Sequence, residues 1–417
     1  MKPGYKETEI GVLPDNWNTT VFSKCFTILK NNTLSRSELS YDIKGISNIH
    51  YGDVLIKYGN TLDCSLVALP VIKDSKKVAD TPILNNGDLI IADTAEDESV
   101  GKATEIINTG NKTIVSGLHT IPCRPINGSA FYTGWLGYYI NSKLYHDQLI
   151  PLITGIKVSS ISKSSLSNTI VVIPPLAEQQ RIAEALSDVD NMISSLEKLI
   201  EKKKAIKQGM MEQLLTGKVR LPGFEEEWEE VVIGEKGQLI KETINPQSFP
   251  SAFFWEYSMP AFDANIQPEK KRGNAMHSNR TKIYGRVLLF NKLNVRQKRI
   301  WYIENCPNNA LCSSEFLAYC SEGIDLKLLK QILGTDRVTS DFIDMSTGTS
   351  NSQKRITPND FLRYTVKMPK GVEQQKAIST ILDDMDQEIQ FVQEQIEKYQ
   401  VAKQAMMQKL LSGKVQI

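Results

Sequence analysis

A long heptad segment occurs twice in this chain, at residues 182–219 and again 196 residues later at 378–415. Both copies end in nearly the same residues, KQGMMEQLLTGKV and KQAMMQKLLSGKV, and sixteen of the thirty-four aligned positions from 186 to 219 are identical. The segments that precede the two copies hardly resemble one another. A repeated frame that carries two unlike inserts predicts two domains performing one task on two different targets.

Apolar residues in the two copies alternate in steps of four and three, which is the pattern of a coiled-coil seam. The seam consists of Ile182, Leu186, Val189, Ile193, Leu196 and Ile200 in the first copy, and of Ile378, Leu382, Met385, Ile389, Val392 and Ile396 in the second. We expect it to pass Lys203 and Tyr399 and to resume at Ile206 and Ala402. Each helix is predicted to run for about 40 residues, or roughly 60 Å.

A single amphipathic helix of this length cannot bury its apolar stripe alone, so the two copies are expected to pair with each other. Parallel and antiparallel pairing are both open, and antiparallel is favoured because each insert then sits at an opposite end of the pair. Each helix is predicted to end before a left-handed glycine, Gly217 or Gly413. The alternative is two unrelated helices that pack only on their own domains.

The repeat sets the expected domain boundaries. Residues 1–173 and 220–370 are predicted to form two domains, and 174–219 and 371–417 the two long helices. A tryptophan leads into each domain, Trp17 and Trp228, and a proline-bounded strand leads out of it. The predicted fold class is α+β: two mixed α/β domains and a long antiparallel two-helix coiled coil between them, with a pseudo-two-fold internal repeat. A single helix is predicted at 133–150.

Composition narrows the functional classes. The formal net charge of +1 over 417 residues argues against a uniformly basic coat for nucleic acid. The sequence contains no run of about 18 apolar residues, so no membrane span is expected. Its first residues also lack the form of a signal peptide. Six cysteines without C-x-x-C spacing and only four histidines argue against a metal site. We therefore expect a cytoplasmic protein with reduced thiols and no membrane partner.

Charge is distributed unevenly between the two domains. Residues 240–370 contain nineteen Lys/Arg and twelve Asp/Glu, whereas residues 18–172 contain fourteen and thirteen. Arg and Lys bind phosphates, and Arg, Asn and Gln can also read base edges. The predicted DNA-binding residues of the second domain are Asn274, Asn279, Arg280, Lys282, Tyr284, Arg286, Arg296, Gln297, Lys298, Arg299, Lys354 and Arg355. Those of the first domain are Lys57, Tyr58, Lys102, Lys157 and Lys163. His119 could touch DNA, although such a histidine is more often structural, and a solvated lysine-rich loop is the alternative for the second domain.

The two helix ends carry more apolar residues than a single seam needs. These residues are Met210, Met211, Leu214 and Leu215 in the first copy, and Met406, Met407, Leu410 and Leu411 in the second. The surplus predicts a docking face for a protein partner. The alternative is insertion of these side chains under the neighbouring domain.

Five segments together resemble the specificity subunit of a type I restriction–modification system, and the resemblance covers nearly the whole chain. They are YKETEIGVLPDNW (5–17), IPPLAEQQRIAEAL (173–186), LLTGKVRLPGFEEEW (214–228), EQQKAISTILDDMD (373–386) and LLSGKV (410–415). The resemblance implies two target recognition domains, each of which reads one half of a split double-stranded DNA sequence. It also implies antiparallel helices that set the spacer and dock two methyltransferase subunits.

The same resemblance implies that S-adenosylmethionine is held by the methyltransferase subunits, that motor-nuclease subunits can join, and that this chain is a non-catalytic subunit without a cofactor. Recognition domains of the family diverge, so base-reading residues are not carried over from it.

The alternatives are a stand-alone DNA methyltransferase or endonuclease and an assembly scaffold that reads no DNA. The chain has no Asn/Asp-Pro-Pro-aromatic motif and no glycine-rich phosphate loop ending in Gly-Lys-Ser/Thr. A nuclease-like pattern can be forced from Asp263, Glu269 and Lys271, or from Glu201 and Lys203. The first set is too closely spaced and the second lies on the predicted coil.

Overall fold

The computed structural model describes residues 3–126, 131–155, 157–225, 227–348 and 353–417, so residue 226 of the 214–228 motif lies outside the described residues. The chain divides into two compact units: unit 1 comprises residues 1–197 and 394–417, and unit 2 comprises residues 198–393. Each long helix therefore contributes one part to each unit. The predicted boundaries placed each helix in a segment of its own, but each end of a helix packs on a domain core.

Unit 1 contains short strands and short helices. The strands are β1 Tyr5–Thr8, β2 Gly11–Pro14, β3 Asn18–Val21, β4 Phe26–Ile28, β5 Leu39–Ser40, β6 Ser47–Ile49, β7 Thr61–Asp63, β8 Val71–Ile72, β9 Leu89–Ala92, β10 Thr94–Ala95, β11 Ala103–Ile107, β12 Ile114–Ser116, β13 Thr120–Pro125, β14 Ser159–Ser160 and β15 Ile170–Ile173. The helices are α1 Phe22–Cys25, α2 Tyr51–Ile56, α3 Trp135–Ile140, α4 Lys143–Leu149, α5 Lys163–Ser167 and the first long helix, α6 Leu176–Leu214.

The strands of unit 1 form a five-stranded sheet in the order β4-β13-β9-β11-β7 and a four-stranded sheet in the order β12-β6-β8-β5. The buried core joins strand β9 to helices α3 and α4 and to the start of α6. The single helix predicted at 133–150 is wrong, because the structure has two helices there. The first helix ends at Ile140, and Ser142 starts the second, since its hydroxyl accepts a hydrogen bond from the backbone N–H of Tyr145.

Unit 2 repeats this plan with different lengths. Its strands are β16 Trp228–Val232, β17 Gln238–Leu239, β18 Thr243–Ile244, β19 Phe253–Tyr257, β20 Glu269–Arg272, β21 Arg280–Lys282, β22 Val287–Asn291, β23 Ile300–Ile303, β24 Ala310–Ser313, β25 Phe316–Cys320 and β26 Thr365–Pro369. Its helices are α7 Ile233–Lys236, α8 Met259–Asn265, α9 Leu326–Leu333, α10 Asp336–Met345, α11 Pro358–Arg363 and the second long helix, α12 Val372–Leu410. The sheets have the orders β18-β21-β24-β19-β20 and β17-β25-β22-β23.

The strand that leads into each domain pairs with the strand that leads out of it. In unit 1, β3 pairs antiparallel with β15, and in unit 2, β16 pairs antiparallel with β26. Trp17 is fully buried beside the first pair, and Trp228 lies in the second. The predicted repeat of a leading tryptophan, a domain, a proline-bounded strand and a long helix is confirmed.

The two long helices have 39 residues each, which confirms the predicted length. Gly217 has a φ of +70° and Gly413 a φ of +66°, so each helix ends with the left-handed glycine that was expected. No helix among the described residues is long and apolar enough to cross a membrane.

Ion pairs between the long helices show that they run antiparallel. In unit 2, Lys203 Nζ lies 2.6 Å from Glu388 and Lys207 Nζ lies 2.5 Å from Asp386, so the partner number falls as the first number rises. In unit 1, Lys403 Nζ lies 2.5 Å from Asp190. The predicted fold class, mixed α/β with paired antiparallel helices in a repeated plan, is confirmed.

After its first six positions in each helix, the seam passes through other residues than those predicted. Ile206 is 48% exposed and Ala402 is also exposed, whereas Lys207 and Lys403 are partly buried. The alternation of four and three simply continues, from Lys203 to Lys207 and from Tyr399 to Lys403. The predicted seam residues are buried (Ile182, Leu186, Ile200, Ile378, Leu382, Val392 and Ile396) or half-buried (Val189, Ile193, Leu196, Met385 and Ile389).

Candidate nucleic-acid interface

Most of the predicted DNA-binding cations of unit 2 are held by carboxylates of the same unit. Arg280 lies 2.6 Å from Glu256, a buried residue that Lys271 also contacts at 2.9 Å. Burial alone would raise the pKa of Glu256, but hydrogen bonds from Lys271 and Arg280 hold it below its ordinary value. This pair of cations is therefore occupied in supporting the strand β19.

Four further cations have acidic partners at the surface. The pairs are Lys282 with Glu242 at 2.5 Å, Lys298 with Asp336 at 2.5 Å, Arg299 with Asp263 at 2.6 Å and Arg355 with Glu315 at 3.1 Å. Asp263 and Lys271, two members of the forced nuclease pattern, are thus in separate ion pairs. No cluster of three or more His, Cys, Asp or Glu in the described part of the chain could hold a metal ion.

The remaining candidates of unit 2 lie at the surface. Arg286 and Arg296 are exposed, Lys354 is half-buried, and none of the three has an acidic partner among the described residues. The polar candidates Asn274, Asn279 and Gln297 are exposed, and Tyr284 is 60% exposed. Tyr284 lies at an open cavity of about 540 Å³ that Phe249 and Asn309 also line.

Sequence reasoning missed an aromatic and basic surface on the edge strand β20, which we call the edge patch. It consists of Phe253, Trp255, Lys270 and Arg272, which share one face because Phe253 pairs with Arg272 and Trp255 with Lys270. Lys270 Nζ lies 5.4 Å and the Arg272 guanidinium 5.1 Å from the ring centre of Phe253. Neither cation has an acidic partner among the described residues, so both are free to bind phosphate. The alternation of aromatic and basic residues in the two strands was the available signal.

The candidates of unit 1 are more scattered. Lys57 donates to the hydroxyl of Tyr41 at 3.2 Å, and Lys102 donates to the carbonyl of Leu55 at 2.5 Å. Burial lowers the pKa of Lys102. Tyr58 is 3% exposed and burial raises its pKa, so this side chain lies in the core. Lys157 and Lys163 are exposed, and Lys163 Nζ lies 3.5 Å from the side-chain oxygen of Asn31.

In unit 1, the end of β9, the turn before β13 and strand β14 meet in an arrangement that we call the strand-end junction. The backbone N–H of Asp93 donates to the carbonyl of His119 at 3.1 Å, and that of Ile161 donates to Asp93 at 2.9 Å. Thr94 pairs with Ser160 across β10 and β14. His119 has a φ of +54°, a left-handed conformation that is uncommon for residues other than glycine.

Unit 2 contains the same junction. The backbone N–H of Lys292 donates to the carbonyl of Glu315 at 3.0 Å, and that of Ile356 donates to Lys292 at 3.1 Å. Leu293 forms a bridge with Arg355. Each of these contacts repeats one in unit 1, so the chain is held in the same way at both places. His119 and Glu315 occupy equivalent positions.

The apolar helix ends pack inside their own units. Leu410 and Leu411 belong to the core of unit 1, and Leu214 and Leu215 to that of unit 2. The methionines at 210, 211, 406 and 407 are half-buried against the same cores. The four leucines have little surface to offer a partner, because they fill the space under the neighbouring domain, as the packing alternative stated. A cavity of about 390 Å³ remains in unit 2 beside Met211.

The duplicated frame of two antiparallel helices around two unlike α/β domains, with basic residues at the surface of unit 2, is the arrangement expected of a DNA-recognition protein. Residues 14–208 match the family model described as type I restriction modification DNA specificity domain. The putative type I restriction enzyme MjaX specificity subunit of Methanocaldococcus jannaschii is 23% identical over 99% of this chain and 97% of its own length.

Two solved structures share the fold at 13% identity. The crystal structure of the type I restriction-modification system S subunit from M. genitalium has a TM-score of 0.59 over 95% of this chain and 96% of its own. A chain from a study of complex assembly and conformational transition of the type I system has a TM-score of 0.55 over 97% and 99%. Over nearly its whole length, this chain is therefore similar to the specificity subunits of type I restriction–modification systems.

Proposed function

We propose that each unit reads one half of a split double-stranded DNA site. The duplicated frame supports this proposal most strongly, because the strand pair, an ion pair between the long helices and the helix-ending glycine recur around two different domains. Conservation of a frame around variable inserts is what one task on two sequences requires. The free cations at Arg286, Arg296 and the edge patch can supply phosphate contacts.

The experiment that tests the proposal is selection from a library of random DNA duplexes by the purified full chain. We expect enrichment of two short sequences separated by a fixed number of unspecified base pairs. Replacing residues 240–370 with the corresponding segment of a similar specificity subunit should change one of the two sequences and leave the other. An assembly scaffold that reads no DNA would enrich nothing.

We also propose that the long helices set the spacer between the two half-sites. Half-sites about one helical turn apart, ~34 Å, present their major grooves on the same face of DNA, and a 39-residue helix is about 58 Å long. Four residues inserted after Ile200 and after Ile396 add about 6 Å to each helix. The spacer should lengthen while both half-sites stay the same. Four residues inserted in the exposed turn at 109–111 provide the control, and an unchanged spacer in the helix variant would contradict the role of the helices.

The partners proposed for the chain are two methyltransferase subunits, which hold S-adenosylmethionine and methylate adenine, with motor-nuclease subunits joining them. The match to the family model supports this, and so does the likeness to a chain from a study of type I complex assembly. The half-buried methionines and the cavity beside Met211 support docking of these subunits at the helix ends. The free thiols of all six cysteines agree with a cytoplasmic location.

A stand-alone methyltransferase or endonuclease is the competing function. The purified chain should bind no S-adenosylmethionine and should not cleave DNA when a divalent metal is added, whereas its complex with methyltransferase subunits should bind S-adenosylmethionine. Binding by the chain alone would favour the competing function.

A further inference from the structure

The strand-end junction combines a common backbone with different side chains in the two units. The equivalent positions are 93 and 292, 94 and 293, 119 and 315, and 160 and 355. Reciprocal backbone hydrogen bonds between Thr154 and Ser160 in unit 1 recur between Thr347 and Arg355 in unit 2. The side chains at these positions are Asp, Thr, His and Ser in unit 1, but Lys, Leu, Glu and Arg in unit 2. Charge and hydrogen-bonding character thus change completely while the chain path is kept.

We propose that the strand-end junction is where each unit discriminates its half-site, with Arg355 contacting a guanine and His119 accepting a hydrogen bond from the amino group of an adenine or a cytosine. The inference rests on the proposed function, since it names the residues that read the DNA. A variable set of side chains on an invariant backbone lets two domains read different bases from the same position.

Arg355 retains the donors that a guanine requires. Its side chain is half-exposed, and its Nε and Nη2 donate to the two carboxylate oxygens of Glu315 at 3.2 and 3.1 Å. The guanidinium has five N–H groups, so three remain, distributed over both terminal nitrogens. One N–H from each terminal nitrogen points away from Glu315, and these two parallel donors match O6 and N7 of guanine in the major groove. Glu315 fixes the orientation of the guanidinium and so favours this paired contact.

His119 presents an acceptor to solvent. The hydroxyl of Thr94 donates to Asp93 at 2.8 Å, which uses the only proton of that hydroxyl. The contact of 3.2 Å between Thr94 Oγ1 and His119 Nδ1 therefore requires Nδ1 to donate. In the neutral ring Nε2 is then without a proton and accepts hydrogen bonds. The exocyclic amino groups of adenine and cytosine are the donors available in the major groove.

Hydrogen bonds to the rest of unit 1 hold the turn that carries His119. The backbone N–H of Gly117 donates to the carbonyl of Ile49 at 2.8 Å, and the side chain of Asn31 donates to the carbonyl of Gly117 at 3.1 Å. A Cβ atom at Gly117 would lie 2.4 Å from the side-chain nitrogen of Asn48, so the turn cannot take a larger residue there without a shift. A left-handed histidine held by this many contacts on an exposed turn is typical of a functional position.

The experiment is selection from random duplexes by the full chain with the junction variants Arg355→Ala, Arg355→Lys and His119→Gly. Arg355→Ala should reduce the preference for guanine at one position of one half-site by about 10- to 100-fold, and leave the other half-site unchanged. Arg355→Lys should retain affinity and lose the same preference, because an ammonium cannot make the paired contact. His119→Gly keeps the left-handed backbone and should relax one position of the opposite half-site.

Arg272→Ala, in the edge patch, is the matched control, because it removes an exposed cation outside the junction and should weaken binding to all sequences alike. Thermal melting identifies any variant that fails to fold. If Arg355→Ala does not fold, Arg355→Lys still tests the position because it keeps the positive charge. His119→Gly keeps the left-handed backbone of the turn. If the unaltered chain selects a split site and the folded variants select the same two half-sites, the inference is wrong and the proposed function stands. If the unaltered chain selects no sequence, the proposed function fails.

Discussion

The bond between Trp17 and Glu178 is expected to stabilise unit 1, and the chain contains its own control. The indole N–H of Trp17 donates to a carboxylate oxygen of Glu178 at 3.0 Å, and both side chains are buried. Gln374 is the equivalent of Glu178 in unit 2, because the next residues, Gln179 and Gln375, donate to Pro174 and Pro369 in the same way. The indole N–H of Trp228 and the amide of Gln374 have no hydrogen-bond partner among the described residues.

The loss of stability follows from the indole N–H that is left without a partner. Glu178→Leu keeps roughly the volume of the side chain but removes the acceptor. The free energy of unfolding should therefore fall by about 1–3 kcal/mol, the cost of burying a donor without a partner. Unit 1 has about 220 residues, and for this size 1 kcal/mol shifts Tm by roughly 2–4 °C. We therefore expect Tm to fall by about 4–8 °C for a loss near 2 kcal/mol. Gln374→Leu replaces an amide that satisfies no partner, so its Tm should stay constant or rise.

The assay is thermal unfolding of the full chain followed by tryptophan fluorescence and by calorimetry, with both leucine variants and Glu178→Gln. Glu178→Gln retains an acceptor oxygen and should recover most of the lost stability. Equal destabilisation by the two leucine variants would refute the reasoning, because it would show that shape at this position matters and the hydrogen bond does not.

Lys207→Glu, beside Asp386, should lower the free energy of unfolding by about 1–3 kcal/mol, and the double exchange with Asp386→Lys should restore most of it in denaturant titrations. Burial raises the pKa of Glu105 from 4.5 to about 7, so the native state holds this proton more tightly than the unfolded chain. Stability linked to Glu105 is present below pH 4.5 and lost as pH rises to about 7. Glu105→Gln should therefore flatten the decline in unfolding free energy across that range. An unchanged decline would contradict the role of Glu105. Arg272→Ala should reduce the slope of log affinity against log salt by about 1 in binding titrations, and an unaltered slope would show that this cation contacts no phosphate.

The repeated frame could be predicted from sequence because its signals are local. The heptad phase and the closing glycines recur at a constant offset of 196 residues, and each determines one face or one end of a helix. The continuation of the seam through Lys207 was missed because a lysine was not read as a seam residue. Its partial burial depends on Asp386, which lies 179 residues away.

The candidate interface could be predicted only in part because pairing between distant residues decides which cations are free. Composition identified the basic excess of residues 240–370, but Glu256 and Glu242 neutralise Arg280 and Lys282 across the sheet. The residues EQQ occur in both copies, at 178–180 and at 373–375, but they do not occupy equivalent positions. The link between proline and helix is one residue longer in the second copy, so Glu178 corresponds to Gln374 and not to Glu373.

The last turn of α12 belongs to the core of unit 1, and this governs the order in which the protein can mature on the ribosome. The hydroxyl of Tyr5 donates to the carbonyl of Gly413, 408 residues later. At about 5–20 residues per second, ribosomes need roughly 20–80 s to make that stretch. Unit 2 is synthesised in one piece during this time and can fold first. The N-terminal part of unit 1 meanwhile has an uncovered apolar surface around Leu13 and Trp17. A nascent chain stalled before Leu410 should consequently be a client for chaperones and proteases.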